Sequence, residues 1–139
     1  MYKKILVGYD GSEAGRKAFD AALELAARDA AELYVVSVSR PPEFGDDVET
    51  EAVIENSREY HRKLLAPLQT VASRRNVHAH FELAVGHAAE QLIYHADRHQ
   101  VDLIVVGHRG RSKFTRLLLG SVSKQVTEHA DRPVLVVPL

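Results

Sequence analysis

A glycine-rich segment near the end of the chain has the residue types and spacing of a phosphate-binding loop. Gly107 follows an apolar run, Gly110 lies three residues further on, and Gly120 stands directly before Ser121. Glycine lets backbone N–H groups approach a ligand closely, and a helix N-terminus attracts anions. The spacing, Gly-x2-Gly-x9-Gly-Ser, is that of neither the P-loop nor the dinucleotide fingerprint.

The helix that should start at Ser121 has an N-terminus that an anion could use. Three residues after Ser121 stands Lys124, where a capping box would have Glu or Gln. Ser121 and Ser123 add hydroxyl donors to the free N–H groups. Gly120-Ser121 is equally typical of an ordinary helix start, because serine is a favoured N-cap. Both interpretations stay open on the residues alone.

Charged side chains make this loop basic. Arg109 and Arg111 lie nearest the glycine turn and are the better candidates to face a phosphate. Lys113 and Arg116 are predicted to lie in solvent, as loop residues commonly do. His108 has two alternatives: contact with a phosphate, or a side chain that points into solvent.

Asp10 ends the first predicted strand and begins Asp-Gly-Ser, a typical turn sequence. In such a turn the aspartate bonds the local backbone, Gly11 takes a positive φ and Ser12 caps the next helix. A carboxylate that faced phosphates would need Mg²⁺ between them, so Mg²⁺ is a possible further ligand.

Histidines at positions 95 and 99 have a metal-ligand spacing on a predicted helix. The nearest acid, Asp97, would point to another face. His78 and His80 share one face of a strand and could complete a site only if that face met the helix. We therefore expect solvated histidines and predict no metal ligands.

Catalytic signatures are absent from the sequence. It contains no Gly-x-Ser-x-Gly elbow, no Walker A motif, no kinase signature and no clear carboxylate pair. A phosphate loop without an evident base favours binding over turnover.

Strand-like and helix-like segments alternate along the chain, which indicates a parallel sheet with helices on both faces. Pro67 should kink or break the second helix, and residues 40–47 read as a loop. Strands are predicted at 4–9, 32–39, 77–84, 102–106 and 134–137, and helices at 12–28, 48–75, 88–99 and 121–130.

Composition limits the class of protein. The chain has 139 residues, 45% of them apolar, a net charge of −1 and no cysteine. We expect a single domain over residues 1–139, with no nucleic-acid partner and no disulfide. No apolar run approaches the roughly 20 residues that span a bilayer, so a cytoplasmic protein without a membrane partner is the simplest expectation.

Three segments in order resemble the ATP-binding branch of the universal stress protein family: the first strand and turn from Tyr2 to Ser12, the glycine segment, and the ending from Arg132 to Val137. The resemblance implies an α/β fold of the adenine nucleotide alpha hydrolase-like type, an open five-stranded parallel sheet of order 3-2-1-4-5. Ligands bind such sheets where the winding reverses, beside strands 1 and 4. The Asp10 turn and the glycine segment follow those strands.

The resemblance also implies which residues bind ATP. Asp10 would lie near the base of the nucleotide or near the metal bound to the nucleotide, and the backbone of Val38 would meet adenine. The phosphates and ribose would be held by Gly107, Gly110, Gly120, Ser121 and Ser123, with the backbone at Arg109 and Val122.

The implied function is nucleotide-dependent signalling or stress response in the cytoplasm, with a protein partner that the sequence does not identify. One alternative is a slow Mg²⁺-dependent ATPase or an autophosphorylating enzyme. Another is an interaction module without nucleotide. The resemblance further implies a homodimer through the C-terminal strand, an edge whose unpaired backbone groups could pair with a second copy.

Overall fold

A computed structural model describes residues 1–39, 47–108 and 121–139. Each apolar, β-branched run forms a strand and each segment of helical spacing forms a helix, so the alternation predicted from sequence is confirmed. The elements are β1 (Lys4–Gly8), α1 (Glu13–Asp29), β2 (Glu32–Ser39), α2 (Asp47–Arg74), β3 (Ala79–Val85), α3 (Ala88–His99), β4 (Leu103–Gly107), α4 (Ser121–His129) and β5 (Val134–Val137).

The five strands form one parallel sheet in the order β3-β2-β1-β4-β5. The predicted fold class and strand order are therefore confirmed. In the centre of the sheet Val7 pairs with Val35 of β2 on one side and with Val105 of β4 on the other. Strands β1 and β4 are neighbours at the point where the winding reverses, which is where such sheets bind ligands.

Side-chain alternation along the strands builds a core on each face of the sheet. Ile5 and Val7 belong to the core that includes Phe19 of α1. Leu6, between them, belongs to the opposite core with Leu92 of α3. Because successive strand residues point to opposite faces, a single strand supplies both layers.

A kink or a break was predicted at Pro67, and the break is excluded because α2 runs through this residue as one helix. Proline inside a helix costs roughly 3 kcal/mol. Leu65 and Leu68 flank it and are almost fully buried, and burying each leucine contributes roughly 1.5–3 kcal/mol. Packing of α2 on the sheet therefore outweighs the local cost.

Other predicted boundaries differ only slightly. The bounds of β2, β5 and α3 are those predicted, whereas β3 begins two residues later than predicted, at Ala79. Of the predicted loop 40–47, only Asp47 lies among the described residues, where it begins α2. Among helices in the described part of the chain, none has both the length and the apolar character needed to cross a membrane.

Candidate functional site

A cavity of about 290 Å³ opens at the carboxyl ends of β1, β2 and β4. Its volume is near the lower end of the range for small-molecule sites, roughly 300–1,000 Å³. The first turns of α1, α3 and α4 close its sides, with Ser12, Ala88 and Ser121 among the lining residues. The cavity therefore lies where sheet topology predicts a ligand.

One wall of the cavity is apolar. Val36 and Val38 come from β2, Val106 from β4, and Ala88 and Leu92 from α3. A wall of this kind can pack against a flat, weakly polar group such as an aromatic base. None of these five side chains is charged, so polar groups elsewhere in the lining must orient a ligand.

The N-terminus of α4 also lines the cavity. Ser121, Val122 and Ser123 line it, and no acidic residue occurs in the first turn of this helix. The first N–H groups of a helix lack intrahelical acceptors and carry partial positive charge. This end is suited to an anion.

The N-terminus of α1 also borders the cavity but is built differently. Ser12 caps α1 by accepting a hydrogen bond from the N–H of Gly15 at 3.0 Å, and Glu13 adds a carboxylate to the first turn. The Ser12 cap uses one of the free N–H groups at this helix end, and the Glu13 carboxylate repels anions. Of these two helix ends, α4 is the better site for a phosphate.

Asp10 organises the turn between β1 and α1. Its Oδ1 accepts hydrogen bonds from the N–H of Ser12 at 3.0 Å and from the Ser12 hydroxyl at 2.5 Å. Gly11 has a φ of +86°, a conformation that favours glycine. The turn and cap predicted for Asp-Gly-Ser are confirmed, and Asp10 lines the cavity as well.

Gly107 lies against the first turn of α1. A Cβ atom added to Gly107 would be 2.3 Å from the carbonyl oxygen of Ala14, far inside van der Waals contact. Glycine is therefore required here by the packing of β4 on the α1 backbone. This requirement is separate from any contact that Gly107 makes with a ligand.

Ser123 connects α4 to the end of β4. Its side chain is buried, and its hydroxyl donates a 2.6 Å hydrogen bond to the carbonyl oxygen of Gly107. Ser121, two residues earlier, is exposed. The two serines thus differ: Ser123 positions the helix, while the Ser121 hydroxyl has no such buried contact.

The structure brings together six of the nine residues predicted to bind a nucleotide. The other three, Arg109, Gly110 and Gly120, lie outside the described residues, as do the remaining basic residues of the loop. The six that line the cavity are Asp10, Val38, Gly107, Ser121, Val122 and Ser123.

Sequence reasoning missed the contribution of α3. Gly86, Ala88 and Leu92 line the cavity, although β3 is an edge strand remote from β1. The strand order could have indicated this contribution. The connection from β3 to β4 contains α3 and must pass over β2 and β1.

The structure places two histidines that the sequence left in doubt or misjudged. His108 is 6% exposed, so the alternative in which it points into solvent is wrong, and it is not among the described residues that line the cavity. His95 is 7% exposed, contrary to the expectation that it is solvated, because its face of α3 packs on the sheet.

Comparison with known proteins agrees with this architecture. The model of the universal stress protein family matches residues 1–138. Universal stress protein YxiE of Bacillus subtilis is 35% identical, with 99% of each chain covered. A crystal structure of a protein from the universal stress protein family of Burkholderia pseudomallei is 33% identical with a TM-score of 0.82, covering 99% of this chain and 97% of that one.

A third relative has been crystallised with a ligand. It is a universal stress protein crystallised in complex with cAMP, 28% identical, with a TM-score of 0.76 and coverage of 99% of this chain and 97% of that one.

Proposed function

The chain belongs to the universal stress protein family, and on that premise we propose that it binds ATP in the cavity at the ends of β1, β2 and β4. Binding would serve nucleotide-dependent signalling or a stress response. The observation that carries the proposal is the composition of the cavity lining, which combines apolar side chains of β2, β4 and α3 with a helix N-terminus that has no acid in its first turn.

The apolar and the helix-terminal parts of the lining suit the two parts of a nucleotide. Adenine would pack against Val36, Val38 and Leu92, and phosphates would meet the N–H groups at the start of α4. The relative crystallised with cAMP supports an adenine nucleotide as the ligand class. Mg²⁺ would accompany ATP if Asp10 approaches the phosphates, because like charges need a cation between them.

Binding without rapid turnover is the second part of the proposal. Asp10 is the one carboxylate among the described residues that line the cavity, and its Oδ1 is held by Ser12. A general base must reach the proton that it removes, and the turn keeps this oxygen engaged. Any hydrolysis or autophosphorylation should be slow.

Association through β5 completes the proposal. This strand is an edge of the sheet, and Leu135 is among its more exposed side chains, at 38%. An apolar edge with unpaired backbone groups is a template for pairing. A homodimer with antiparallel β5 strands about a two-fold axis would cover it.

Calorimetry with ATP, AMP and adenosine on nucleotide-free protein tests the ligand. We expect ATP to bind with one site per chain and adenosine to bind at least about tenfold more weakly, because it lacks the phosphates that meet α4. Absence of ATP binding, or equal affinity for adenosine, would contradict the proposal. Phosphate release from Mg·ATP measures turnover, and several turnovers per second would overturn the binding-only part.

A further inference from the structure

Three potential metal ligands converge between β3 and α3, away from the nucleotide cavity. His95 and His99 are one helical turn apart on α3, and Glu82 lies on β3. The Nε2 atom of His99 is 2.7 Å from Oε1 of Glu82, and Nδ1 of His95 is 3.5 Å from the same oxygen. The three ligand atoms all lie within 4.8 Å of one another.

His95 supplies a buried polar atom without a partner. Its ring is 7% exposed, and among the described residues Nδ1 has no hydrogen-bond partner. Glu82 Oε1, at 3.5 Å, is at the outer limit for a hydrogen bond. Buried polar atoms are rarely left unpaired, because the loss costs about 1–3 kcal/mol. The orphan atom faces the same oxygen as His99.

We propose that Glu82, His95 and His99 form a Zn²⁺ site, with His95 binding through Nδ1, His99 through Nε2 and Glu82 through its carboxylate. Two imidazoles and one carboxylate are an established donor set for Zn²⁺. The side chains of Glu82 and His99 are 26% and 19% exposed, which provides an entry path and room for water as a fourth ligand.

Neighbouring side chains hold the His99 ring in place. It stacks on Tyr34 of β2 with ring centroids 4.1 Å apart, and the Tyr34 hydroxyl donates a 3.0 Å hydrogen bond to Glu32. Such outer contacts orient metal ligands and tune affinity. The metal would join α3 to the edge strand β3. The same helix also reaches the nucleotide cavity, because Leu92, one turn before Ala96, lines it.

A second group of potential ligands lies nearby on β2 and β3, made of Glu32, His78 and His80. Its imidazole nitrogens are 3.9 and 4.0 Å from the Glu32 carboxylate, and the His78 side chain is 71% exposed. Glu32 also accepts the bond from Tyr34. This group is more open and less preorganised, so it is the competing site in the experiment.

Titration of untagged, chelator-treated and nucleotide-free protein with ZnCl₂ tests the proposal. Calorimetry should show one tight site per chain, and Co²⁺ in its place should give visible absorption bands of a low-coordinate site. Glu82→Gln and His99→Gln should each weaken Zn²⁺ binding at least about tenfold. His129→Gln, on the exposed end of α4, and His78→Gln are the matched controls and should bind as wild type does.

Two further readouts make each outcome decisive. Circular dichroism confirms that both ligand variants are folded, and Zn²⁺ should raise the Tm of the wild type more than that of the variants. Nitrogen-15 NMR of the imidazoles should show Zn²⁺-dependent shifts at His95 Nδ1 and His99 Nε2. Absence of binding, unchanged affinity in folded Glu82→Gln and His99→Gln, or loss of binding only in His78→Gln would overturn the proposal.

Discussion

The hydroxyl of Ser123 donates a 2.6 Å hydrogen bond to the carbonyl oxygen of Gly107. This contact joins the first turn of α4 to the carboxyl end of β4, on either side of the glycine segment. The helix end that would meet phosphates is thus held against the strand that forms the cavity floor. Ser123 therefore has a positioning role as well as a place in the cavity lining.

Ser123→Ala should destabilise the fold by about 1–2 kcal/mol, because it removes a buried hydrogen bond and its donor. Urea unfolding measures the change. Ser121→Ala is the matched control on the same helix, and it should alter stability by less than about 0.5 kcal/mol because Ser121 is exposed. Equal stability of the two variants would show that the Ser123 contact contributes nothing.

Gly107→Ala should cost at least about 2 kcal/mol through overpacking, because the new methyl group would meet the backbone oxygen of Ala14 at 2.3 Å. Gly8→Ala is the control at the end of the neighbouring strand. There the new atom would meet the Leu92 side chain at 2.9 Å, which can rotate away. Thermal unfolding compares the two, and an equal or smaller loss for Gly107→Ala would contradict the packing argument.

Much of the fold was predictable because local signals agreed. The bounds of β2 and β5 follow from apolar, β-branched runs, and α3 follows from helical spacing after the turn at Gly86. The break considered at Pro67 was wrong, because a local rule cannot weigh the burial of the α2 residues on either side.

The site was predictable in part. Asp10 and Ser121 could be placed because they follow the two central strands or begin the next helix. The approach of Glu82 to His95 could not, because it depends on how α3 crosses the sheet. The Ser123 bond likewise depends on a side-chain orientation that residue spacing does not determine.

Stability should fall at acid pH partly through Asp102. Its Oδ2 accepts hydrogen bonds from the N–H groups of Lys3 and Lys4 at 2.7 and 2.9 Å, and these bonds lower the pKa of its carboxyl group. The unfolded state then binds more protons at low pH, so this stabilisation is present above the unfolded pKa of about 3.9 and is lost as pH falls through the lower folded pKa.

Asp102→Asn should remove that pH dependence. At about pH 6 the free energy of unfolding of the variant should be lower by about 1 kcal/mol, a small value because the site is exposed. This difference between wild type and variant should shrink towards about pH 3. Urea midpoints at several pH values provide the measurement. If the difference in stability between wild type and variant stays constant over this pH range, the role of Asp102 is contradicted.

The proposed dimer depends on which backbone groups of β5 face outward. The carbonyl oxygens of Pro133 and Val137 accept hydrogen bonds from the N–H groups of Ile104 in β4 and of His108 directly after it. Backbone groups alternate in direction along a strand. The N–H and C=O of Leu135 therefore also point towards β4, whereas those of Val134 and Val136 point away from it. Val136→Pro therefore removes an outward donor and leaves the pairing with β4 intact.

Sedimentation equilibrium at micromolar concentration should show a dimer for the wild type and a monomer for Val136→Pro. Val136→Thr keeps the N–H and a β-branched side chain of the same shape, so it should remain a dimer. A monomeric wild type, or a Val136→Pro protein that is still dimeric, would exclude this interface.

Titration of Mg·ATP into wild-type protein and Ser121→Asp tests the central claim, that a nucleotide binds with its phosphates at the start of α4. The new carboxylate favours the helix N-terminus and should preserve or raise stability, yet it should repel phosphates. Gln125→Glu adds the same charge one turn further along α4, at an exposed position. We predict one ATP per wild-type chain, affinity reduced at least about tenfold, or about 1.4 kcal/mol, in Ser121→Asp, and little change in Gln125→Glu. No binding to the wild type, or equal affinity for wild type and Ser121→Asp, would contradict the account.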